Sequence, residues 1–290
     1  MKTVNDLTNS KKVLRKFFLL TFSLSWVAWI PLALSGQEVS LSGRNAALLG
    51  LLLAGAFSPS LVGIWMTYQI EDRVGRRDFW RRTVDLRRIR PTWIAFILLV
   101  FPAMMALTFL VDLWLGGNLP AMDGVLEVFM NPSNLLFFVI SMLIGGPLVE
   151  ELGWRGFALD KLLERRSPLH ASLVLGVIHA AWHLPLFFIA GTSQGAMGID
   201  SMMFWLWVVQ VMAGSFFFTW VYLNNQRSIL SAILLHFMSN ATFTLVAQLG
   251  HALPVRTEII RTMVTVLAVA VLTAPKKHVK REMTLRLEKT

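Results

Sequence analysis

The sequence contains no cysteine among its 290 residues, and few of its residues are charged. Without thiols the chain can form no disulfide, no thiolate nucleophile and no Cys-ligated metal centre. Charged residues make up 15% of the sequence and apolar residues 55%, whereas soluble domains have roughly 45–50% apolar residues. The composition therefore indicates an integral membrane protein, and we predict an all-α, polytopic helical bundle.

Other signals are absent as well. No two segments resemble each other in the way that the two halves of many transporters do. The longest polar stretch, from Glu71 to Arg90, is too short to form a soluble domain. The HExxH pattern of many zinc peptidases is also missing. If the chain is a peptidase, its catalytic residues must follow a pattern other than HExxH.

Apolar runs of about 20 residues, the length that crosses a bilayer, recur along the chain. The run from Phe17 to Leu34 is longer than the roughly 7–15 residues of a signal-peptide core, so we interpret it as a retained span. The other predicted spans cover residues 46–70, 92–115, 135–163, 169–190, 201–223, 229–250 and 259–273. The sequence thus predicts about eight transmembrane helices.

Basic residues lie in short blocks between these runs and give a formal net charge of +10. Such blocks are typical of the cytoplasmic loops of membrane proteins, so we expect no nucleic-acid partner. The blocks on the predicted inner side are Glu71–Arg90, Lys161–Arg166, Arg227 and a basic tail at 274–290, whereas the outer loops hold only Arg44 and Arg256. We therefore expect a multi-pass protein of the cell membrane with both termini in the cytoplasm.

The segment GGPLVEELGWRGF, residues 145–157, places three charged side chains inside an apolar span. One charged side chain at the bilayer centre costs roughly 2.5–3.5 kcal/mol, so this set indicates either a functional site or a structural ion pair. Residues i and i+4 share a helix face, so Glu151 is expected to pair with Arg155 and Glu150 to face elsewhere. The Gly-Gly-Pro before them predicts that the helix breaks and restarts.

Two later spans carry polar pairs at i and i+4, His179 with His183 and His236 with Asn240. A lone intramembrane histidine is often only an interhelical hydrogen bonder, but here three spans carry polar groups at similar depth. A carboxylate, imidazoles and a carboxamide could activate water, as metal ligands or as a general base with oxyanion donors. They would suit a proton or ion path almost as well.

These residues resemble the motifs of the CPBP intramembrane peptidases, the CAAX protease and bacteriocin-processing family that is also called Abi. EELGWR resembles the EExxxR motif, His183 the histidine of FxxxH, and His236 with Asn240 the HxxxN motif. His179 stands where the family has phenylalanine, and it could be a supporting hydrogen bonder or an additional ligand. The resemblance implies a single membrane-embedded peptidase domain over residues 1–290, with a motif core at 145–245.

The activity implied is that of a glutamate-dependent endopeptidase, which uses activated water to hydrolyse a peptide bond of a membrane-associated peptide or protein, lipidated or not. The implied catalytic residues are Glu150, His183, His236 and Asn240, and the supporting residues are Glu151, Arg155 and His179. By motif position the first two would activate water and the next two would stabilise the oxyanion. Replacing His179 with the family's phenylalanine is expected to be mild.

Two mechanisms and three functions stay open from the sequence. A divalent metal such as Zn²⁺, held by Glu150, His183 and His236, and a metal-free mechanism both fit the residues. The family name also covers bacteriocin immunity and scaffolding, so a non-proteolytic membrane protein of that kind is the alternative to the peptidase. An ion-coupled carrier is the third hypothesis. The full set of motif residues favours the enzyme.

Overall fold

The computed structural model describes residues 4–39, 45–119, 123–247 and 253–274, and within these ranges the regular secondary structure is entirely helical. The helices are α1 (Val4–Leu34), α2 (Ala46–Ile70), α3 (Arg73–Val84), α4 (Pro91–Trp114), α5 (Asp123–Met130), α6 (Pro132–Ile144), α7 (Pro147–Gly153), α8 (Asp160–Leu163), α9 (Pro168–Trp182), α10 (Ser193–Met197), α11 (Met202–Asn224), α12 (Ile229–Ala247) and α13 (Val255–Thr273). The predicted all-α class is confirmed. Arg44 and all but the first residue of the predicted basic tail lie outside the described ranges.

Seven helical segments of the described chain are long and apolar enough to cross a membrane. They are Ser10–Leu34, Ala46–Ile70, Pro91–Trp114, Pro132–Leu163, Pro168–Phe188, Met202–Asn224 and Ile229–Val246. The predicted eighth span lies within α13, whose first turns carry Arg256, Glu258 and Arg261, and it is not among the seven. The polytopic bundle is confirmed, and the protein is a multi-pass membrane protein.

The helix with the two glutamates, α7, lies at the centre of this bundle. It packs between α2 on one side and α12 on the other. Around it, Trp29, Trp154 and Trp182 are almost completely buried and belong to the larger apolar cluster. A second cluster joins α4, α11, α12 and α13. The charged segment is therefore shielded from lipid by its neighbours.

The close packing of α7 against α2 depends on two glycines. A Cβ atom on Gly153 would lie 2.1 Å from the carbonyl oxygen of Pro59, and one on Gly63 would lie 2.8 Å from the Cα of Gly153. Small residues at a crossing point let two membrane helices approach until their backbones touch. The glycines thus set how deeply the glutamates sit within the bundle.

The arginine-rich segment forms α3 and a short 3₁₀ turn, and α3 is docked on the bundle. Buried Arg82 donates to the hydroxyl of Tyr222 at 2.6 Å and pairs with Asp160 at 2.8 Å. In the following turn Asp85 accepts from the side chain and the backbone N–H of Arg87. The bond from that side chain is the main cause that lowers the pKa of the Asp85 carboxyl, and the backbone bond adds to it. The segment is therefore an ordered part of the fold.

Candidate active site

The span that carries the glutamates is broken at the glycines, as the sequence predicts. Helix α6 ends at Ile144, and α7 restarts at Pro147, which needs no N–H partner in the first turn. Glu150 lies in that first turn. After Gly153 the helix widens into a π-helical turn over Trp154–Leu159, a local form that often accompanies functional sites. The break and the wide turn together isolate a seven-residue helix whose polar side chains face its neighbours.

Glu151 and Arg155 form the predicted ion pair. Their Oε1 and Nη1 atoms lie 2.9 Å apart, and both side chains are buried. The guanidinium also lies over the ring of Phe218, 4.2 Å from its centroid, which adds a cation–π contact. Each charge therefore has an immediate partner, and this offsets much of the cost of burying it.

His236 contacts the same glutamate. Its Nδ1 lies 2.7 Å from Oε1 of Glu151. The sequence hypothesis placed His236 beside Glu150 and directed Glu151 away toward Arg155. In the structure Glu151 contacts both Arg155 and His236. The reason is that adjacent glutamates on α7 face different neighbours, and α12 packs on the side that Glu151 faces.

The free ends of His236 and Asn240 meet the helix break. An ideal Cβ atom on Gly146 would lie 2.9 Å from Nε2 of His236 and 2.8 Å from Nδ2 of Asn240. The two side chains, one turn apart on α12, thus aim their polar atoms at the same backbone position. Only a residue without a side chain leaves room for them there. Two polar nitrogens therefore converge at the start of α7.

The two remaining histidines lie at the C-terminal end of α9, His179 in its last turn and His183 as its cap. Nε2 of His179 lies 2.8 Å from Oε2 of Glu150, and both side chains are buried. Nδ1 of His183 lies 2.9 Å from the carbonyl oxygen of His179, and since a carbonyl only accepts, this nitrogen carries the hydrogen. The contact leaves Nε2 of His183 with its lone pair available. His179, for which the sequence leaves open a supporting hydrogen bond or an additional ligand, contacts Glu150 directly.

Helix α1 holds the end of α9 in place through residues that sequence reasoning missed. The indole of Trp182 donates to Ser25 at 2.7 Å, and the indole of Trp26 donates to the carbonyl oxygen of Trp182 at 3.1 Å. The Trp182 and His183 rings are 4.6 Å apart, edge to face. A single serine and scattered tryptophans in an apolar run have no motif, so only tertiary contacts show their role.

Three ligand atoms from Glu150, His179 and His183 lie within 4.8 Å of one another, and this group could hold a metal ion. Ligand atoms around a tetrahedral zinc ion with bonds near 2.0–2.1 Å lie roughly 3.3 Å apart, so small side-chain shifts would suffice. One carboxylate and two imidazoles are also a donor set that zinc accepts. The residues therefore fit a zinc-type ion. His236, a ligand candidate from the sequence, is not part of the group, and His179 takes its place.

A buried carboxylate that contacts one imidazole and lies near a second could activate water, and two polar nitrogens that converge at a helix break could stabilise an oxyanion. The family model for the type II CAAX prenyl endopeptidase Rce1-like proteins matches residues 132–242, a range that holds all three motifs. The chain is also similar to the CAAX prenyl protease 2 of Methanococcus maripaludis, with 28% identity over 233 residues, or 80% of this chain and 84% of that protein. The resemblance in the motifs is thus confirmed, and the protein is a membrane endopeptidase that is similar to the CAAX prenyl proteases.

Proposed function

We propose that the protein hydrolyses a peptide bond near the C-terminus of a lipidated, membrane-associated protein, with Glu150 as the group that activates water. The observation that carries the proposal is the contact of Glu150 with His179, in the first turn after the helix break that His236 and Asn240 face. The relative's name supports a prenylated C-a-a-X substrate, in which the lipid is attached to a cysteine three residues before the end.

In this mechanism Glu150 and His183 hold the attacking water. Glu150 takes one proton as the water adds to the scissile carbonyl, and it delivers that proton to the leaving amine as the bond breaks. Asn240 Nδ2 and His236 Nε2 donate to the oxyanion that forms on the carbonyl oxygen. Arg155 and Glu151 do not touch the substrate and instead fix the position of His236.

A divalent ion, where one is bound, would lie at Glu150, His179 and His183, and it would lower the pKa of a bound water toward neutrality. The roles of Asn240 and His236 are the same with or without it. Burial of the site within the bundle keeps bulk water out, which strengthens every hydrogen bond to the oxyanion.

The test uses the full-length protein, purified in detergent and reconstituted into vesicles. The substrates are prenylated C-a-a-X peptides, unprenylated peptides of the same sequence, and a peptide with the lipid in the middle. Glu150→Gln keeps the size of the side chain and removes its charge, so we expect cleavage to fall by about 10²–10⁴-fold, the usual cost of losing a general base. Asn240→Ala removes an oxyanion donor and is expected to cost about 10²–10³-fold.

Glu127→Gln is the matched control, because Glu127 is exposed on α5 and the same change there should leave cleavage intact. Size-exclusion profiles should be the same for all variants. If Glu150→Gln cleaves as fast as the unmodified protein, the role of Glu150 is wrong. If the folded protein cleaves no peptide of the set while it still confers immunity or holds a partner complex together in cells, the non-proteolytic alternative replaces the peptidase.

A further inference from the structure

His179 is the one motif position at which this chain differs from its family. A phenylalanine there would only pack. The histidine instead places an Nε2 atom 2.8 Å from Glu150, in a side chain that is 10% exposed. Its ring also packs against Trp154 at a centroid distance of 5.2 Å. The apolar packing of the family residue is thus kept, and a polar ligand atom is added beside the glutamate.

The two histidines of α9 repeat the spacing of a known ligand pair. In HExxH peptidases the two zinc-binding histidines stand at i and i+4 on one helix face, and a third ligand comes from elsewhere in the chain. His179 lies in the last turn of α9 and His183, four residues later, caps the end of that helix, whereas Glu150 comes from α7. Two imidazoles and one carboxylate also form the ligand set of several catalytic zinc sites.

The surroundings of the three ligands favour a cation further. The bond from His183 Nδ1 to the carbonyl oxygen of His179 fixes the hydrogen on Nδ1, the type of outer contact that orients metal-binding histidines. Arg155 pairs with Glu151 at 2.9 Å, so the ion pair of this segment is made by the neighbouring glutamate. A carboxylate beside two imidazoles suits Zn²⁺ or Co²⁺, whereas Mg²⁺ and Ca²⁺ prefer sites made of oxygen atoms.

We propose that His179 makes this site a three-ligand centre for a zinc-type divalent cation, which a family member with phenylalanine at that position would lack. The cation takes the place of the hydrogen now shared by Glu150 and His179, and the hydrogen on the His179 ring moves to Nδ1. Because Glu150 and His183 are also the proposed water-activating residues, the inference deepens the proposed function. Ion binding can nevertheless be measured without any cleavage assay.

The experiment titrates the purified, chelator-treated protein with Co²⁺ and follows the visible absorption of the ion, then repeats the titration with Zn²⁺ as competitor. We expect one equivalent to bind. His179→Phe, which restores the family residue, should weaken binding by more than the roughly 10- to 100-fold that the loss of an outer contact costs. His170→Phe is the control, because His170 is exposed on the same helix and should keep the bound ion.

A second variant tests the ligand itself and covers the case in which His179→Phe does not fold. The chain has no cysteine, so in His179→Cys any thiolate-to-cobalt absorption band arises from position 179 alone. We expect that band in the variant. A folded His179→Cys protein that binds Co²⁺ without the band would overturn the inference, and so would unchanged affinity in His179→Phe.

The outcomes separate this inference from the proposed function. An unmodified protein that cleaves its peptides but binds no Co²⁺ or Zn²⁺ would refute the metal centre and leave the peptidase. An unmodified protein that binds one ion through position 179 but cleaves no peptide would support the metal centre and refute the peptidase.

Discussion

His236 has one nitrogen already engaged before any substrate arrives. Its Nδ1 lies 2.7 Å from the carboxylate of Glu151, which only accepts when ionised, so Nδ1 carries a hydrogen. For Nε2 to donate to an oxyanion as well, the ring must carry both hydrogens and a positive charge, which Glu151 balances. The carboxamide of Asn240 donates without any such requirement. Of the two proposed oxyanion donors, His236 is therefore charged and depends on Glu151, which pairs with Arg155. Asn240 is neutral and does not depend on that ion pair.

Gly146 provides the sharpest test of these two donors. A methyl group there would lie within 3 Å of both Nε2 of His236 and Nδ2 of Asn240, so Gly146→Ala should push both nitrogens out of place. We expect kcat/KM to fall by about 10²–10³-fold, as for the loss of an oxyanion donor. Thermal stability should change less than activity, because the atoms that the new methyl group would meet are the ends of side chains, which can rotate away.

The control for this change is Gly214→Ala on α11, where an added Cβ would meet no atom within 4 Å. Its cleavage rate should equal that of the unmodified protein. Full activity in Gly146→Ala would contradict the placement of the oxyanion at the helix break.

Sequence reasoning predicted the partners within one helix better than those between helices. The pair of Glu151 with Arg155 follows from helical spacing alone and is confirmed. The contact of Glu150 with His179 does not follow, because spacing shows which residues share a face and not which helix that face meets. Comparison with the family pattern singled out His179 as the position that differs, but it did not show which residue His179 contacts. The expectation that His179→Phe is mild stays a prediction, and the contact of His179 with Glu150 favours a larger effect.

The position of α7 against α2 controls the site at the level of whole elements. The break at Gly145–Gly146 frees α7 from the direction of α6, and its packing must then come from α2 and α12. The contact with α2 is backbone against backbone, at Gly153 and Pro59. The break could be predicted because proline and glycine have fixed effects on helices. The packing of α7 against α2 could not be predicted, because a glycine in the sequence does not show which helix lies beside it.

Gly153→Ala is expected to destabilise the protein. The new Cβ would lie 2.1 Å from the carbonyl oxygen of Pro59, and backbone atoms cannot rotate away as side chains do. Overpacking of this kind typically costs about 1–3 kcal/mol, so the melting temperature in detergent should fall. Gly50→Ala, on α2 with nothing within 4 Å, is the control and should melt like the unmodified protein. Equal melting of all three proteins would show that α2 and α7 do not pack this closely.

For the whole molecule, the number of transmembrane spans depends on whether α13 crosses the membrane. Its first turn is joined to the end of α4, where Arg256 pairs with Asp112 at 2.7 Å. Near its other end, Val269 belongs to the same buried cluster as Ile97 and Val100, which lie in the first half of α4. The two helices therefore run antiparallel along most of their length. Since α4 is long and apolar enough to cross a membrane, its neighbour covers nearly the same depth.

The charges of α13 explain why apolar content alone does not identify it as a span. Glu258 and Arg261 pair with each other on one face, and the Arg261 guanidinium lies over the ring of Phe243 at 4.4 Å. Paired charges cost far less to bury than isolated ones. The hydropathy of the sequence does not show this, because it treats every charged residue as unpaired. The 19 residues of α13 extend about 28 Å, close to the thickness of the apolar core of a bilayer. We therefore expect α13 to cross the membrane as the eighth span.

Reporter fusions can test this count together with the orientation of the chain. Fusions after Arg90 and Arg166 should read cytoplasmic and one after Met130 should read outside, because basic loops stay on the cytoplasmic side. The decisive pair flanks α13, where a fusion after Ala247 should read outside and one after Thr273 cytoplasmic. If the last two read the same side, α13 does not cross, and the C-terminal end of the chain then lies outside despite its lysines and arginines. If the fusion after Arg90 reads outside, the whole orientation is inverted, whereas the packing of α13 along α4 would still stand.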